Sequence, residues 1–344
     1  MAETKPTLNI EQVVSDILQT IEREREREIV SRRFGLFDRK ETLEQIGELL
    51  GITRERVRQL EKAVIQRLKA AATNKQLPHM EEVQKVLCDH ITAMGGAARI
   101  QDLSGKLQKE NSRIDQARTA FLAELAPKLA VIDDNDFYYH AVGLESLHDE
   151  KKMKTQVGKI IEAIKAIGEP TDITRIAETV GDKDSRHTAA LASISKQLAT
   201  LNKRWGLVKW PMVNPKNIRD KIYVILKEHG KHMHFNEIAA AIKQSSFKRK
   251  DVTTQAIHNE LIKDKRFVLI GRGIYALKEW GYKKGTVADI ITEVLVKAKE
   301  PLHRDEIVKR VLKSRYVKET TILLNLQGKP QFKRVAKATY TLAE

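Results

Sequence analysis

Thr42-Leu43-Glu44-Gln45-Ile46-Gly47-Glu48-Leu49-Leu50-Gly51-Ile52-Thr53-Arg54-Glu55-Arg56-Val57-Arg58-Gln59-Leu60-Glu61 is the stretch on which the reading of this chain turns. Thr42 with Gln45 three residues on is a capping-box pattern, which opens a short helix. Leu43, Ile46, Leu49 and Leu50 give that helix one apolar face, and Gly51 permits a tight turn after it. Thr53 is a good N-cap for a second helix, in which Val57, Leu60, Val64 and Leu68 face inward. Arg54, Glu55, Arg58, Gln59 and Lys62 share the opposite face. A short helix, a glycine turn and a second helix with a polar outer face predict a helix-turn-helix. Such a helix reaches base edges in the major groove through its N-terminal residues. Arg matches the acceptors of guanine, Gln matches adenine, and Glu accepts from cytosine. A plain pair of helices with a solvated charged face is the alternative.

The wording of the motif goes further than its pattern. Arg32-Arg33-Phe34-Gly35-Leu36, Thr42 to Gly47, and Gly51 to Glu61 resemble region 4 of the sigma-70 family of bacterial RNA polymerase, over about Arg25 to Lys69. In that family the module reads the −35 promoter element and rests on the flap of the polymerase β subunit. The resemblance implies base contacts for Arg54, Glu55, Arg58 and Gln59, and phosphate contacts for Thr53 and Lys62. Nothing in the chain resembles the family's region 2, with its promoter-melting aromatics. The expectation is therefore promoter reading without promoter melting.

Upstream, Ile10, Val13, Val14, Ile17, Leu18 and Ile21 form an amphipathic stripe, and Ile29, Val30 and Phe34 resume it after the alternating run Glu22 to Glu28. Glu22 to Glu24 stand where the family often has a Ser or Pro cap, which favours fusion of the first two helices. Gly35 is placed to end that helix.

Downstream of Met80 one unit of about 65 residues recurs four times, the kind of period that marks arrayed supersecondary units. Each opens with an apolar-periodic helix, breaks at Gly95-Gly96, Gly168-Glu169-Pro170, Gly230 or Glu300-Pro301, and continues with two further helices. A β-like stretch follows: Asp136 to Tyr139, Trp205 to Val208, Gly273 to Leu277, and Ala338 to Leu342, with Tyr139, Val208, Tyr275 and Tyr340 as anchors. Three helices and a terminal hairpin describe a winged helix, and Gly271-Arg272-Gly273 suits the turn of the clearest wing. The third unit resembles the HARE-type winged helix known from the delta subunit of bacterial RNA polymerase. His234-Phe235-Asn236-Glu237-Ile238 and Arg266 to Leu277 carry that likeness. Leu302-His303-Arg304-Asp305-Glu306-Ile307-Val308 makes the fourth a degenerate relative.

The expected fold class is thus mainly α: an N-terminal helix-turn-helix followed by a tandem array of winged-helix modules with small β-wings. The expected domains are 1–75 (the sigma-like helix-turn-helix), 80–143 (acidic), 155–212, 216–281 (HARE-type) and 284–344 (degenerate).

The chain has 344 residues, a net charge of +16 and a charged fraction of 31%. That balance predicts attraction to a polyanion, and its distribution sharpens the point. Residues 216–344 hold 28 basic and 14 acidic side chains, whereas residues 76–150 hold 7 and 13. A basic third helix and wing in the third and fourth units would hold phosphates, with Lys248, Arg249, Lys250, Arg272, Lys333 and Arg334 as the candidates and Lys243, Lys263, Lys265, Arg266, Arg310 and Arg315 nearby. The acidic unit is a poor DNA ligand and a better protein-docking module.

Aromatics at 5% and the single Cys88 disfavour an aromatic-lined enzyme pocket, an intramolecular disulfide and a multi-cysteine metal site. No phosphate loop or nucleophile elbow is present in the sequence, and His232 with His234 lacks a third ligand at usable spacing. Asp133 and Asp134 read as a solvated turn, His140 and His148 as surface or packing residues, and Cys88 as a small core residue. No apolar run approaches the roughly 20 residues needed to span a bilayer, and Met1 to Pro6 lack the apolar stretch of a signal peptide.

The expected protein is not an enzyme and takes no cofactor, metal or small-molecule substrate. It is cytoplasmic and nucleoid-associated, and its partners are promoter-like double-stranded DNA and the RNA polymerase core. The alternatives are an architectural or polymerase-interacting protein that binds DNA generically, and the specificity arm of a defence system.

Overall fold

The computed structural model describes residues 9–247, 249 and 251–343. It is mainly helical, with four small antiparallel sheets, and forms two compact units, residues 1–208 and 209–344.

The first unit begins with four helices: α1 (Ile10–Gln19), α2 (Glu24–Phe34), α3 (Leu43–Leu50) and α4 (Arg54–Thr73). The expected fusion of the first two helices does not occur. Thr20 turns its hydroxyl and its N–H onto the Ile17 carbonyl, Ile21 is buried, and Arg27 donates to the Ile21 carbonyl at 3.1 Å. The chain is therefore closed off before Arg23 starts α2 in extended backbone. Gly35 ends α2 in the left-handed region at φ 72°.

Two repeats follow in this unit. The first is α5 (Met80–Ala93), β1 (Ala97–Arg99), α6 (Ile100–Leu107), α7 (Arg113–Leu125), β2 (Leu129–Ile132) and β3 (Ala141–Leu144). The second is α8 (Glu150–Ile167), β4 (Thr171–Asp172), α9 (Ile173–Val180), α10 (Ser185–Ser193), β5 (Leu198–Leu201) and β6 (Arg204–Leu207). The second compact unit carries α11 (Ile218–His229), β7 (Met233–His234), α12 (Phe235–Gln244), α13 (Thr254–Lys263), β8 (Phe267–Gly271) and β9 (Ile274–Leu277). It then carries α14 (Val287–Ala298), β10 (Leu302–His303), α15 (Arg304–Leu312), α16 (Glu319–Gly328), β11 (Phe332–Ala336) and β12 (Thr339–Leu342).

Every repeat thus runs helix, strand, helix, helix, strand, strand. In each sheet the last strand lies between the first and the second. The short first strand runs directly into the second helix of its repeat. The last strand of the first repeat is Ala141–Leu144 rather than the expected Asp136–Tyr139. Asn135 Oδ1 accepts from the N–H groups of Phe137 and Tyr138 at 2.9 and 3.0 Å and bends the chain there, leaving Tyr138 with an isolated bridge to Ser195. Register places Val142, Trp205, Tyr275 and Tyr340 at equivalent positions, so the anchors expected at Tyr139 and Val208 move to Val142 and Trp205.

The main core of residues 1–208 crosses the expected boundary near residue 75. Ile10, Val14 and Ile17 of α1, Val64 and Leu68 of α4, Leu87 and Ile91 of α5, and Phe121, Leu122 and Leu125 of α7 form one buried cluster. Phe34 of α2 meets Phe121 edge-on at 5.1 Å. The buried Arg118 of α7 donates through Nε to the Leu36 carbonyl at 2.8 Å and through Nη1 to Glu11 at 3.0 Å. A separate, smaller core of Ile29, Ile46 and Val57 holds α2, α3 and α4 together. Burying each of these three side chains contributes roughly 1.5–3 kcal/mol.

Candidate nucleic-acid interface

The local chemistry of the motif is as its spacing implies. Gln45 N–H donates to Thr42 Oγ1 at 3.2 Å, while Thr42 N–H donates to Gln45 Oε1 at 2.9 Å, closing the capping box at the start of α3. Gly51 takes φ 64° at the end of α3, and Thr53 Oγ1 accepts from Arg56 N–H at 3.2 Å to start α4. A requirement that spacing alone leaves hidden lies at Gly47. A Cβ there would stand 2.7 Å from the Ile52 carbonyl oxygen, so only glycine lets the turn fold back onto α3. That close approach turns Ile46 and Gly47 toward α4. Leu49, expected on the apolar face, is 55% exposed as a result.

Beyond this turn, Arg54, Glu55, Arg58 and Gln59 are all exposed on the first two turns of α4, with Lys62 one turn further and also exposed. None is packed beneath another element of residues 1–208. They are instead linked to one another. Arg58 grips Glu55 with Nε at 2.8 Å and Nη2 at 2.6 Å, a bidentate pair, and Gln59 Nε2 donates to Glu55 Oε1 at 3.3 Å. The hydrogen bonds from Arg58 hold the Glu55 carboxyl down at about 2 and push the Arg58 guanidinium up. Glu55 is therefore an anion, an acceptor only, at any physiological pH. Arg54 is held by Glu44 of α3 at 3.0 Å, and Arg56 donates to Gln59 Oε1 at 3.3 Å. Glu44 and Arg56 were not among the sequence candidates. Both are exposed, and they set the rest positions of Arg54 and Gln59.

The shaft of α4 is tied down behind this face. The buried Glu26 of α2 pairs with Arg67 and with Arg23, and Arg33 pairs with Glu61 at 3.3 Å. The polar tip is thus presented on a helix fixed at its other end to the shared core.

In the other repeats the third helices divide into two kinds. Along α7, Arg118 to Ala123 and Leu125 are all buried, because this helix faces α1, α2 and α4 as well as its own sheet. On α10, Thr188, Ala190, Leu191 and Ala192 are buried, because the helix packs on β1 of the preceding repeat. Arg99 of β1 donates to the Ser193 carbonyl, its guanidinium stacks 4.1 Å from the Tyr139 ring, and Lys196 bridges to Asp134 at 3.0 Å. By contrast α13 buries only Ile257 and Leu261, and α16 only Ile322 and Leu326.

The expected basic third helices are not found. Lys263 is the single basic residue of α13, and α16 has none. The positive charge lies on the hairpins and loops instead. Arg272 is exposed in the β8–β9 turn, Lys333 and Arg334 are exposed on β11, and Arg249 is exposed before α13. Lys248 and Lys250 lie outside the described residues. Arg266 is withdrawn from any such role, since it is half-buried and paired with Asp264 at 2.8 Å and Asp220 at 3.2 Å. Arg310 pairs with Glu306 at 2.6 Å, and Arg315 is half-buried with its guanidinium pushed down by burial.

His232 lies against Tyr316 at 4.3 Å, and His234 caps α12. Among the described residues no group of three or more His, Cys, Asp and Glu is gathered where it could hold a metal ion, and no helix is long and apolar enough to cross a membrane.

Known proteins recognise the same segment. Residues 23–70 match the family described as Sigma-70, region 4. The chain is 39% identical over 69 residues to the RNA polymerase sigma factor SigA of Listeria monocytogenes, and equally so to the proteins of the same name from Listeria innocua and a Bacillus species. Each match covers 20% of this chain and 18% of the relative, so the chain spans under a fifth of the length of the sigma factors it matches.

Proposed function

We propose that this chain is a DNA-binding transcription protein that recognises a −35-like promoter element through α4 and acts with RNA polymerase. Arg54, Glu55, Arg58 and Gln59 read base edges in the major groove, with Thr53 and Lys62 on flanking phosphates. The observation that carries this reading is the exposed polar face at the leading end of α4, held on a rigid shaft within a segment that matches sigma region 4. The Glu55–Arg58 pair supports it, since an ionised acceptor and a forked donor are the groups that distinguish cytosine from guanine.

The four repeats are winged helices by element order, the third of HARE type. Arg249, Arg272, Lys333 and Arg334, with Lys248 and Lys250, hold phosphates without specifying sequence. The first two repeats, with their third helices buried, serve as protein-facing and spacing modules, and the acidic first repeat is the surface offered to the polymerase.

Arg54→Ala weakens binding to the selected promoter sequence by roughly 1–3 kcal/mol and leaves binding to unrelated DNA unchanged. An equal loss on every sequence in a gel-shift series overturns the base-reading role. Replacing Arg272, Lys333 and Arg334 together by Ala lowers the slope of log K against log salt by about 1 for each phosphate no longer neutralised. An unchanged slope removes the phosphate role of the wings.

A further inference from the structure

Three rings gather where the third and fourth repeats join. His232, just before β7, lies 4.3 Å from the ring of Tyr316 in the α15–α16 loop, the planes tilted by 42°. It lies 6.4 Å, edge-on, from Tyr282, which follows β9. The backbone around them fixes this setting. Lys283 N–H donates to the Ser314 carbonyl at 3.4 Å, and Arg315 Nη1 donates to the Leu269 carbonyl of β8 at 3.5 Å. A Cβ on Gly271 would stand 3.1 Å from the Tyr316 carbonyl oxygen, so the wing of the third repeat and this loop touch. His232 and Tyr282 are half-buried in the joint, but Tyr316 is 54% exposed and Leu269 45%. His232 backs one side of the Tyr316 ring, and the rest is open to solvent.

Cations bracket each ring. Lys231 precedes His232, Lys284 follows Tyr282, Lys313 and Lys318 flank Tyr316, and Arg272 follows Gly271; all five are exposed. The carboxylates of the joint are already engaged: Glu279 with Lys227 at 2.6 Å, Glu293 with Lys283 and Lys297, and Asp289 with the N–H and hydroxyl of Thr286. Glu319 is exposed shortly after Tyr316, one anion against five cations.

A tyrosine that only joined two repeats would be covered by them. A protein partner matches the uncovered face poorly, because lysines are depleted from the buried centres of protein interfaces. Duplex DNA suits the cations but offers the ring nothing, since its bases are stacked on one another. An unstacked base offers a π face, and its backbone offers the phosphates.

We infer that the joint between the third and fourth repeats binds single-stranded nucleic acid, with a base stacked on Tyr316 and with Arg272, Lys284, Lys313 and Lys318 along the phosphates. This goes beyond duplex reading by α4 and does not depend on it.

The test is fluorescence anisotropy of the full chain with three labelled probes: an oligothymidylate, an oligouridylate of the same length, and a duplex of mixed sequence. Tyr316→Ala is expected to bind the single strands roughly 5- to 100-fold more weakly and the duplex unchanged. Tyr316→Phe, which keeps the ring, binds all three like the wild-type chain. Replacing Lys313 and Lys318 together by Ala flattens the salt dependence on the single strands. Thermal melting checks that the variants fold. Loss on the thymidylate, the uridylate or both supports the inference and tells whether the strand is DNA or RNA. Equal loss on the duplex, single-strand binding unchanged in Tyr316→Ala, or a loss confined to retention of purified core RNA polymerase overturns it. A wild-type chain that ignores both single strands does so too. Arg54→Ala leaves single-strand binding unchanged, so each of these failures leaves the reading by α4 standing.

Discussion

Phe121→Ala tests whether the sigma-like segment and the first repeat are one body. The Phe121 ring is wholly buried, meets Phe34 of α2 edge-on, and lies in the cluster shared by α1, α4, α5, α6 and α7. Truncating a buried Phe to Ala costs about 3–5 kcal/mol in forfeited burial and in the cavity left behind. A factor of ten in an equilibrium corresponds to about 1.4 kcal/mol. Amides that open with this core therefore lose protection roughly a hundred- to several-thousand-fold in hydrogen exchange, where reclosing outruns exchange. In the full chain that loss appears together in α1, in α4 from Val64 to Ala72, and in α5 and α7. If α1 and the shaft of α4 keep wild-type protection while α5 and α7 lose theirs, the shared core does not couple the two segments. The reasoning that α4 is held rigid by α7 then fails with it.

Two further outcomes concern the joint between the first two repeats. His148 is buried and stacked on His187, with the two Nε2 atoms 2.8 Å apart and His187 Nδ1 2.6 Å from Asp182. With Asp182 accepting from His187, the proton between the rings belongs to His148, and the buried Nδ1 of His148 has no partner for another. Burial, and then His187, push the His148 imidazole down. The unfolded chain therefore binds the extra proton first, and stability present above about pH 6.5 is lost as pH falls below it, by up to ~1.4 kcal/mol per pH unit. Denaturant melts of His148→Gln should show a shallower fall between neutral pH and pH 5, and an identical slope refutes the assignment. At Gly95, φ is 99° and a Cβ would lie 2.5 Å from the Arg186 carbonyl oxygen, whereas Gly181, at φ 74°, faces open space. Gly181→Ala then costs about 1–2 kcal/mol from backbone strain alone, and Gly95→Ala costs more, since the α10 segment must also move. Equal melting shifts for the two variants would show the joint to be loose.

What could be read from the residues alone was what local chemistry fixes. Thr42, Gln45, Gly51 and Thr53 each act within a few residues of themselves, and the capping box, the turn and the outward face of α4 follow from them. The three helices of each repeat were legible for the same reason, but the short strand before each second helix was not. Side chains whose placement depends on distant partners were not. Leu49 has the spacing of a core residue, and it is the approach of Ile52 to Gly47 that turns it out. Phe137, Tyr138 and Tyr139 have the composition of a strand, but Asn135 turns the chain at Phe137, and Tyr138 makes only an isolated bridge to Ser195 of the next repeat. The small residues of α10 gave no sign of a covered surface, and the lone Lys263 of α13 was hidden inside a regional charge excess.

The burial of α7 and α10 has a consequence for how such a chain can lengthen. Each of these helices is the surface by which its repeat joins what precedes it, so every joint of this kind consumes one exposed helix face. A protein that grows by adding copies in this way gains reach with each copy, while its free third-helix surface stays with the copies that nothing has yet covered.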